Sequence, residues 1–316
     1  MKKQLKRISI IVVIFVVSLV FLGGVTYFGF PGFVVESSKY IARWSAGLEK
    51  KEVLVGDHHW VYLEGGEGDS ILFLHGFGMH KDFWGNMLKD FGSSYRIIAP
   101  DLPGFGENSR IDSAIYDIPS QVERLDRFVK KVGLKSFHIV GFSMGGGISA
   151  YYVSKHPEKV KSLSLIAPYG VSSSRKSDFY KNYDETGENL LVFKTPEQYN
   201  IILESAFHQP PSIPEHFKAY IAEIGASNYD FHNKITQDLV QGGRDVLDSI
   251  LPKIEAHTLI IWGKNDRILD VSSVKTLESG IKNSQTVIIE KAGHMVYIEK
   301  AEQVKKAYSE FLSNLR

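Results

Sequence analysis

The chain is expected to fold as an α/β protein, with a mostly parallel, doubly wound sheet of eight strands and helices on both faces. Three observations predict this. From Glu52 onward, short apolar runs alternate with amphipathic stretches of helical period, the pattern of strands joined by crossover helices. Several runs are apolar throughout, as strands covered on both faces must be. A segment of different rhythm, residues 171–252, separates two of the later runs.

In chain order the first element is residues 8–30, an uncharged run preceded by Lys2, Lys3, Lys6 and Arg7. Sixteen of its residues are Leu, Ile, Val or Phe. As a helix it would be about 34 Å long, enough for a hydrocarbon core of about 30 Å. Residues 1–30 are therefore expected to be a transmembrane anchor or an uncleaved signal. A cleaved secretory signal is the alternative, giving a secreted or periplasmic protein. The length of the run and the lack of a clean small-x-small site favour retention. The leading basic residues favour an inner amino terminus and an outer folded domain, while Lys39, Arg43, Lys50 and Lys51 beyond the run weaken that asymmetry. Residues 31–51 follow as a juxtamembrane connector, with Tyr40 and Trp44 suited to the membrane interface.

The folded domain is expected over residues 52–316. Its strands are expected at 53–55, 60–63, 71–74, 96–99, 137–140, 162–166, 258–262 and 286–289. After Asp117 and Pro119, the residues Val122, Leu125, Val129 and Val132 recur at helical spacing. Val304, Tyr308, Phe311 and Leu315 mark one face of a closing helix. The segment 171–252 is far longer than an ordinary connection. It is rich in Phe and Tyr, punctuated by Pro196, Pro210, Pro211 and Pro214, and compatible with helix. It reads as an inserted cap that would build a substrate pocket over the strand ends.

Bulk composition narrows the chemistry. Formal net charge is +1, from 37 basic and 36 acidic residues that are interspersed along 316 positions. No global field favours nucleic acid or a strongly charged substrate. Cysteine is absent, which excludes disulfides, thiolate metal sites and thiol catalysis.

The strongest chemical signal is Gly141-Phe142-Ser143-Met144-Gly145, between an apolar strand and a helix-like stretch. That is the context of a nucleophile elbow, a turn tight enough to expose the Ser143 hydroxyl above the sheet. A serine nucleophile needs a base, and the base needs an orienting acid. His294 lies in the loop after the last strand and suits the base. Asp266 follows strand 258–262 and suits the acid, so the chain order is serine, acid, histidine. Asp270 is the nearest rival acid but reads as a helix cap. His58, His59, His138, His156 and His257 fall within or beside elements and read as structural. His208, His216 and His232 lie in the insertion, within reach of a substrate. The oxyanion calls for backbone donors, expected from the N–H groups of Met144 and Phe77, the latter in His75-Gly76-Phe77-Gly78. His75 is expected to orient that loop, and Asp101 to shape residues 100–106. Such a site needs no metal and no organic cofactor.

These residues resemble the α/β-hydrolase superfamily from about Glu52 to the C-terminus. Asp101-Leu102-Pro103-Gly104-Phe105-Gly106 is similar to the D-x-P-G-x-G loop of that fold. The narrower resemblance is to membrane-anchored monoacylglycerol lipases and related bacterial lipases. It rests on the N-terminal segment, His75-Gly76-Phe77 followed by His80-Lys81-Asp82, and Ile260-Ile261-Trp262-Gly263-Lys264 followed by Leu269-Asp270-Val271. It implies a serine esterase acting on monoacylglycerols or similar lipid esters, with a membrane and a small lipid ester as its partners and no nucleic acid. Two other functions remain open on the residues alone. One is carbon–carbon bond hydrolysis of dienone acids, for which Arg175 and Lys176 are candidate carboxylate partners. The other is a non-catalytic, small-molecule-binding member of the fold.

Overall fold

The computed structural model describes residues 23–173 and 175–315. All but the last eight residues of the expected membrane run 8–30 therefore lie outside the described residues. Residues 23–29 are helical and lead into helix α1 (Pro31–Ser45). Among the described residues no helix is long and apolar enough to cross a membrane.

Eight strands form one sheet: β1 (Leu48–Val55), β2 (His58–Gly65), β3 (Ser70–Leu74), β4 (Arg96–Pro100), β5 (Phe137–Phe142), β6 (Val160–Ile166), β7 (His257–Gly263) and β8 (Ser284–Ile289). Their spatial order is β1-β2-β4-β3-β5-β6-β7-β8. β2 runs antiparallel to both neighbours, and every pair from β4 through β8 is parallel. Every residue of β3 and β5 is buried, so the centre of the sheet is covered on both faces, as expected for crossover helices.

β1 starts earlier than its apolar pattern indicates. Residues 48–51 pair with Tyr62 to Gly65, so the strand reaches into the expected connector. Glu49, Lys50 and Lys51 hide it in the sequence because β1 is an edge strand with most side chains in water. β5 likewise continues two residues past its expected end, to Phe142.

The helices match their sequence signals. α2 (Asn86–Gly92) precedes β4. α3 (Ile118–Lys131) is capped by the Asp117 carboxylate, which accepts the Ser120 N–H at 2.8 Å, and Pro119 stands in its first turn. α4 (Met144–Lys155) follows β5 directly and is buried along nearly its whole length. The insertion holds α5 (Asp178–Thr186), α6 (Pro196–Ala206) and the long α7 (Glu215–Gln241). α8 (Ser273–Gly280) joins β7 to β8, and α9 (Val296–Glu299) and α10 (Ala301–Ser313) close the chain. α10 buries Val304, Tyr308 and Phe311 of the stripe read from the sequence, together with Leu312, while Leu315 lies beyond its end and is half-buried.

This topology fixes where a ligand can bind. From β3 the chain crosses to β4 on one side and later to β5 on the other. Connections leave in opposite directions at that point, opening a crevice at the carboxyl ends of β3 and β5. Leu74 pairs with Gly141, so the loops beginning at His75 and Ser143 emerge side by side.

Candidate active site

The elbow is built by backbone crowding. Ser143 has φ +52° and ψ −118°, a conformation few non-glycine residues adopt and one that functional turns sustain. Its N–H donates to Ile166 O at 2.9 Å and its carbonyl accepts from Gly147 and Tyr169, at 3.0 and 2.9 Å. A Cβ at Gly145 would run into the carbonyls of Leu74 and His75, and one at Gly141 into Gly145 O and Ser149 Oγ. Glycine at both positions is what lets α4 start against the oxyanion loop.

His294 and Asp266 meet. The imidazole Nδ1–H donates to Asp266 Oδ2 at 2.7 Å. Asp266 Oδ1 accepts the N–H groups of Ile268 and Leu269 at 2.8 and 2.9 Å. Three donors thus converge on one buried carboxylate, which fixes the tautomer that leaves Nε2 unprotonated. Among the described residues no hydrogen bond joins the His294 ring to the Ser143 hydroxyl; such contacts commonly tighten only with substrate bound. The residue before the serine, Phe142, packs on the base: its ring centroid is 4.8 Å from that of His294 and 4.9 Å from that of Tyr297. Phe142 thus forms a wall beside His294. Its sequence position before the serine gave no hint of that role.

The expected oxyanion donors follow the carboxyl ends of β3 and β5. Met144 is the first residue of α4 and Phe77 lies between β3 and the next turn. Among the described residues neither N–H donates to a protein acceptor. His75 is the brace the sequence predicts. Its Nε2 accepts the Leu102 N–H at 2.8 Å, so the proton sits on Nδ1 and goes to Gly76 O at 2.8 Å. Burial pushes its pKa down to about 4, which keeps that neutral tautomer in place.

Asp101 is fully buried and shapes its loop through a partner the sequence did not indicate. Its carboxylate accepts the N–H groups of Lys81 and Glu107, and also the Lys81 ammonium at 2.9 Å. Lys81 is only 1% exposed. Burial alone would lower its pKa, but Asp101 and Glu107 outweigh it and the net direction is up. Next to it, the Asp82 carboxylate accepts Nε–H and Nη2–H of the Arg43 guanidinium, at 2.6 and 2.8 Å. Helix α1 is thereby tied to the loops around the site. Lys81 and Arg43 are far from Asp101 and Asp82 in sequence or carried by another element, so no spacing rule marks these pairs.

The remaining candidates separate cleanly. Asp270 accepts the Ser272 N–H at 2.8 Å, while α8 begins at Ser273; it closes the turn before the helix instead of capping the helix itself. His58 bonds Asp57 and His138 bonds Ser162 Oγ, each at 2.7 Å. His59 and His257 lie at the starts of β2 and β7, and His156 follows α4. In the cap, His216 packs on Tyr27 and Phe28, His208 is exposed, and His232 packs on Phe77. Among the described residues no cluster of His, Asp or Glu is arranged to hold a metal.

The cap also secures the base. Ala206 O, at the end of α6, accepts the Met295 N–H at 3.0 Å, and Glu299 accepts the Gly293 N–H at 2.6 Å. Arg267, next to Asp266, reaches the carbonyls of Glu204 and Phe207. The residues on either side of His294 are therefore held by hydrogen bonds that the sequence reading did not foresee.

Comparison with known proteins agrees with this fold. The family described as the alpha/beta hydrolase fold matches residues 69–301. Monoacylglycerol lipase abhd6-B of Xenopus laevis is 32% identical over 298 residues, covering 90% of this chain and 88% of that protein. Lipase 1 of Psychrobacter immobilis is 31% identical over 277 residues, covering 86% and 87%. Among solved structures, a bacterial membrane phospholipase A superposes with a TM-score of 0.87 at 37% identity, over 98% of this chain and 99% of that one. With the fold, the elbow and these relatives together, the chain belongs to the α/β-hydrolase fold family, as a serine hydrolase.

Proposed function

We propose that the chain hydrolyses carboxylic esters of lipids, monoacylglycerols or similar single-acyl esters, through Ser143, His294 and Asp266. The observation that carries this reading is the His294–Asp266 bond of 2.7 Å, in a chain whose strained elbow places Ser143 at the start of α4. The Ser143 oxygen attacks the ester carbonyl as Nε2 of His294 takes its proton, and Asp266 stabilises the imidazolium. The N–H groups of Phe77 and Met144 hold the oxyanion. His294 then protonates the departing alcohol, leaving an acyl-serine. Water, deprotonated by the same nitrogen, attacks the acyl group and releases the fatty acid and free serine.

The substrate class is supported by the relatives, whose names are monoacylglycerol lipase, lipase and membrane phospholipase. Attachment to a membrane through the N-terminal segment, with the folded domain on the outer side, belongs to the same proposal. Supporting it, Phe28, Phe33, Tyr40, Ile41 and Trp44 are between 60% and 76% exposed. Phe33, Tyr40, Ile41 and Trp44 share one face of α1, where aromatic side chains suit a membrane interface. The rival reaction on dienone acids loses its sequence support, because Arg175 and Lys176 are exposed and pair with Asp270 and Asp184. The test is a chain-length profile on detergent-solubilised protein, using monoacylglycerols and p-nitrophenyl esters. Medium or long acyl chains should be preferred, and a preference for acetyl over all of them overturns the reading.

A further inference from the structure

Helix α7 brings a polar ring into the aromatic surroundings of the oxyanion loop. The centroid of His232 lies 5.6 Å from the ring of Phe77 and 5.1 Å from that of Phe105. Phe77 carries one proposed oxyanion donor. Phe105 belongs to the loop that holds His75 through Leu102. The neighbours of His232 on α7 fix its side of the helix: Phe231 and Ile235 lie over Gly104, and Phe231 also meets Tyr116 edge-on at 5.4 Å. Thr236 Oγ1 donates to the His232 carbonyl at 3.1 Å and accepts from Asn189 at 2.6 Å, which steadies this turn. The ring is thus held by packing.

Its nitrogens are unspent. Among the described residues no group hydrogen-bonds either of them, the residue is half-buried, and neither nitrogen is among the fully buried polar atoms without a partner. Burial, with Arg110 nearby, pushes the pKa down to about 4, so at neutral pH the ring offers one donor and one acceptor. An acyl chain has no use for either. The hydroxyl-bearing alcohol portion of an ester does, and the adjoining rings of Phe77, Phe105 and Phe231 are hydrocarbon that offers it nothing.

We propose that His232 recognises the alcohol portion of the substrate, its ring hydrogen-bonding a free hydroxyl of a glycerol-like leaving group beside the oxyanion hole. The inference rests on the lipid-ester reading above and names a specificity residue for it. His232 is not part of the proton relay; it sets which alcohol is accepted.

The test compares two substrates of identical acyl chain, a 1-monoacylglycerol and the methyl ester, which lacks free hydroxyls. kcat and KM are measured for the wild type, His232→Phe and His232→Asn. His232→Phe should lose about three- to tenfold in kcat/KM on the monoacylglycerol, the size of one neutral hydrogen bond. It should stay within about twofold of wild type on the methyl ester, and His232→Asn, which keeps a donor and an acceptor, should recover part of the loss. Equal loss on both substrates would make His232 a packing residue and overturn the proposal, as would no loss on either. A wild type that hydrolyses the methyl ester and not the monoacylglycerol overturns the proposal and leaves an esterase. Inactivity on both overturns the lipid-ester reading itself.

Discussion

Asp266→Asn isolates the orienting role of the carboxylate from its packing. In the native arrangement Oδ2 accepts His294 Nδ1–H, and Oδ1 accepts two backbone N–H groups, from Ile268 and Leu269. An amide supplies one oxygen only. If its –NH2 turned to the backbone, two N–H donors would lose their acceptor, at about 1–3 kcal/mol each. The oxygen therefore stays with Ile268 and Leu269, and the –NH2 faces His294. Nδ1 must then accept, the ring proton moves to Nε2, and the nitrogen meant to take the serine proton already carries one. A triad locked in the wrong tautomer loses about 10⁴-fold in kcat, about 5.5 kcal/mol of transition-state stabilisation. The fold should lose little, because all three contacts keep a partner. The assay is kcat for a p-nitrophenyl ester beside a urea denaturation curve, with Asp270→Asn as a control expected to remain active. A folded Asp266→Asn within about tenfold of wild type would refute the reasoning.

Ser143→Ala should abolish labelling by a fluorophosphonate while leaving thermal stability within about 1 kcal/mol; retained labelling would mean that another residue is the nucleophile. Lys81→Met removes the ammonium that faces Asp101 inside the protein. The stranded carboxylate should cost about 3–5 kcal/mol in urea unfolding, and a loss below about 1 kcal/mol would show that the pair is not coupled. Acid should destabilise the protein in two stages. The His75 pKa is depressed to about 4 in the folded state, from an ordinary 6.5, so the unfolded chain binds the proton first and stability falls from about pH 6.5 to 4. Glu107, pulled down to about 2 despite its partial burial by Lys50 and Lys81, adds a loss as pH drops below about 4.5. A thermal midpoint that rises on going from pH 7 to pH 5 would contradict this.

The sheet was legible because its central strands are apolar on both faces and its helices keep their period. The elbow was legible because crowding of α4 against β5 demands glycine at 141, and against the end of β3 glycine at 145. Chain order then led to Asp266 and His294. What stayed hidden has a common cause: contacts across long sequence separations leave no local pattern. Lys81 looks like any surface lysine until Asp101 folds beneath it. Glu299 sits five residues beyond His294, inside an apparently ordinary helix, and its hold on Gly293 depends on the angle between α9 and the loop. Phe142 reads as the variable position of the elbow motif, although its ring stands against the base. The start of β1 was missed for another reason, since an edge strand facing water keeps charged side chains and loses its alternation.

The hydrogen bonds from the end of α6 have a bearing on access. Swinging that end of the cap outward would pull Ala206 from Met295 and the Glu204 and Phe207 carbonyls from Arg267, loosening the neighbours of His294 and Asp266 just as an ester arrived. Helix α7 takes no part in that hold, and its first turn rests instead on Tyr27. The N-terminal helix therefore bears on the start of the same helix that carries His232 against Phe77.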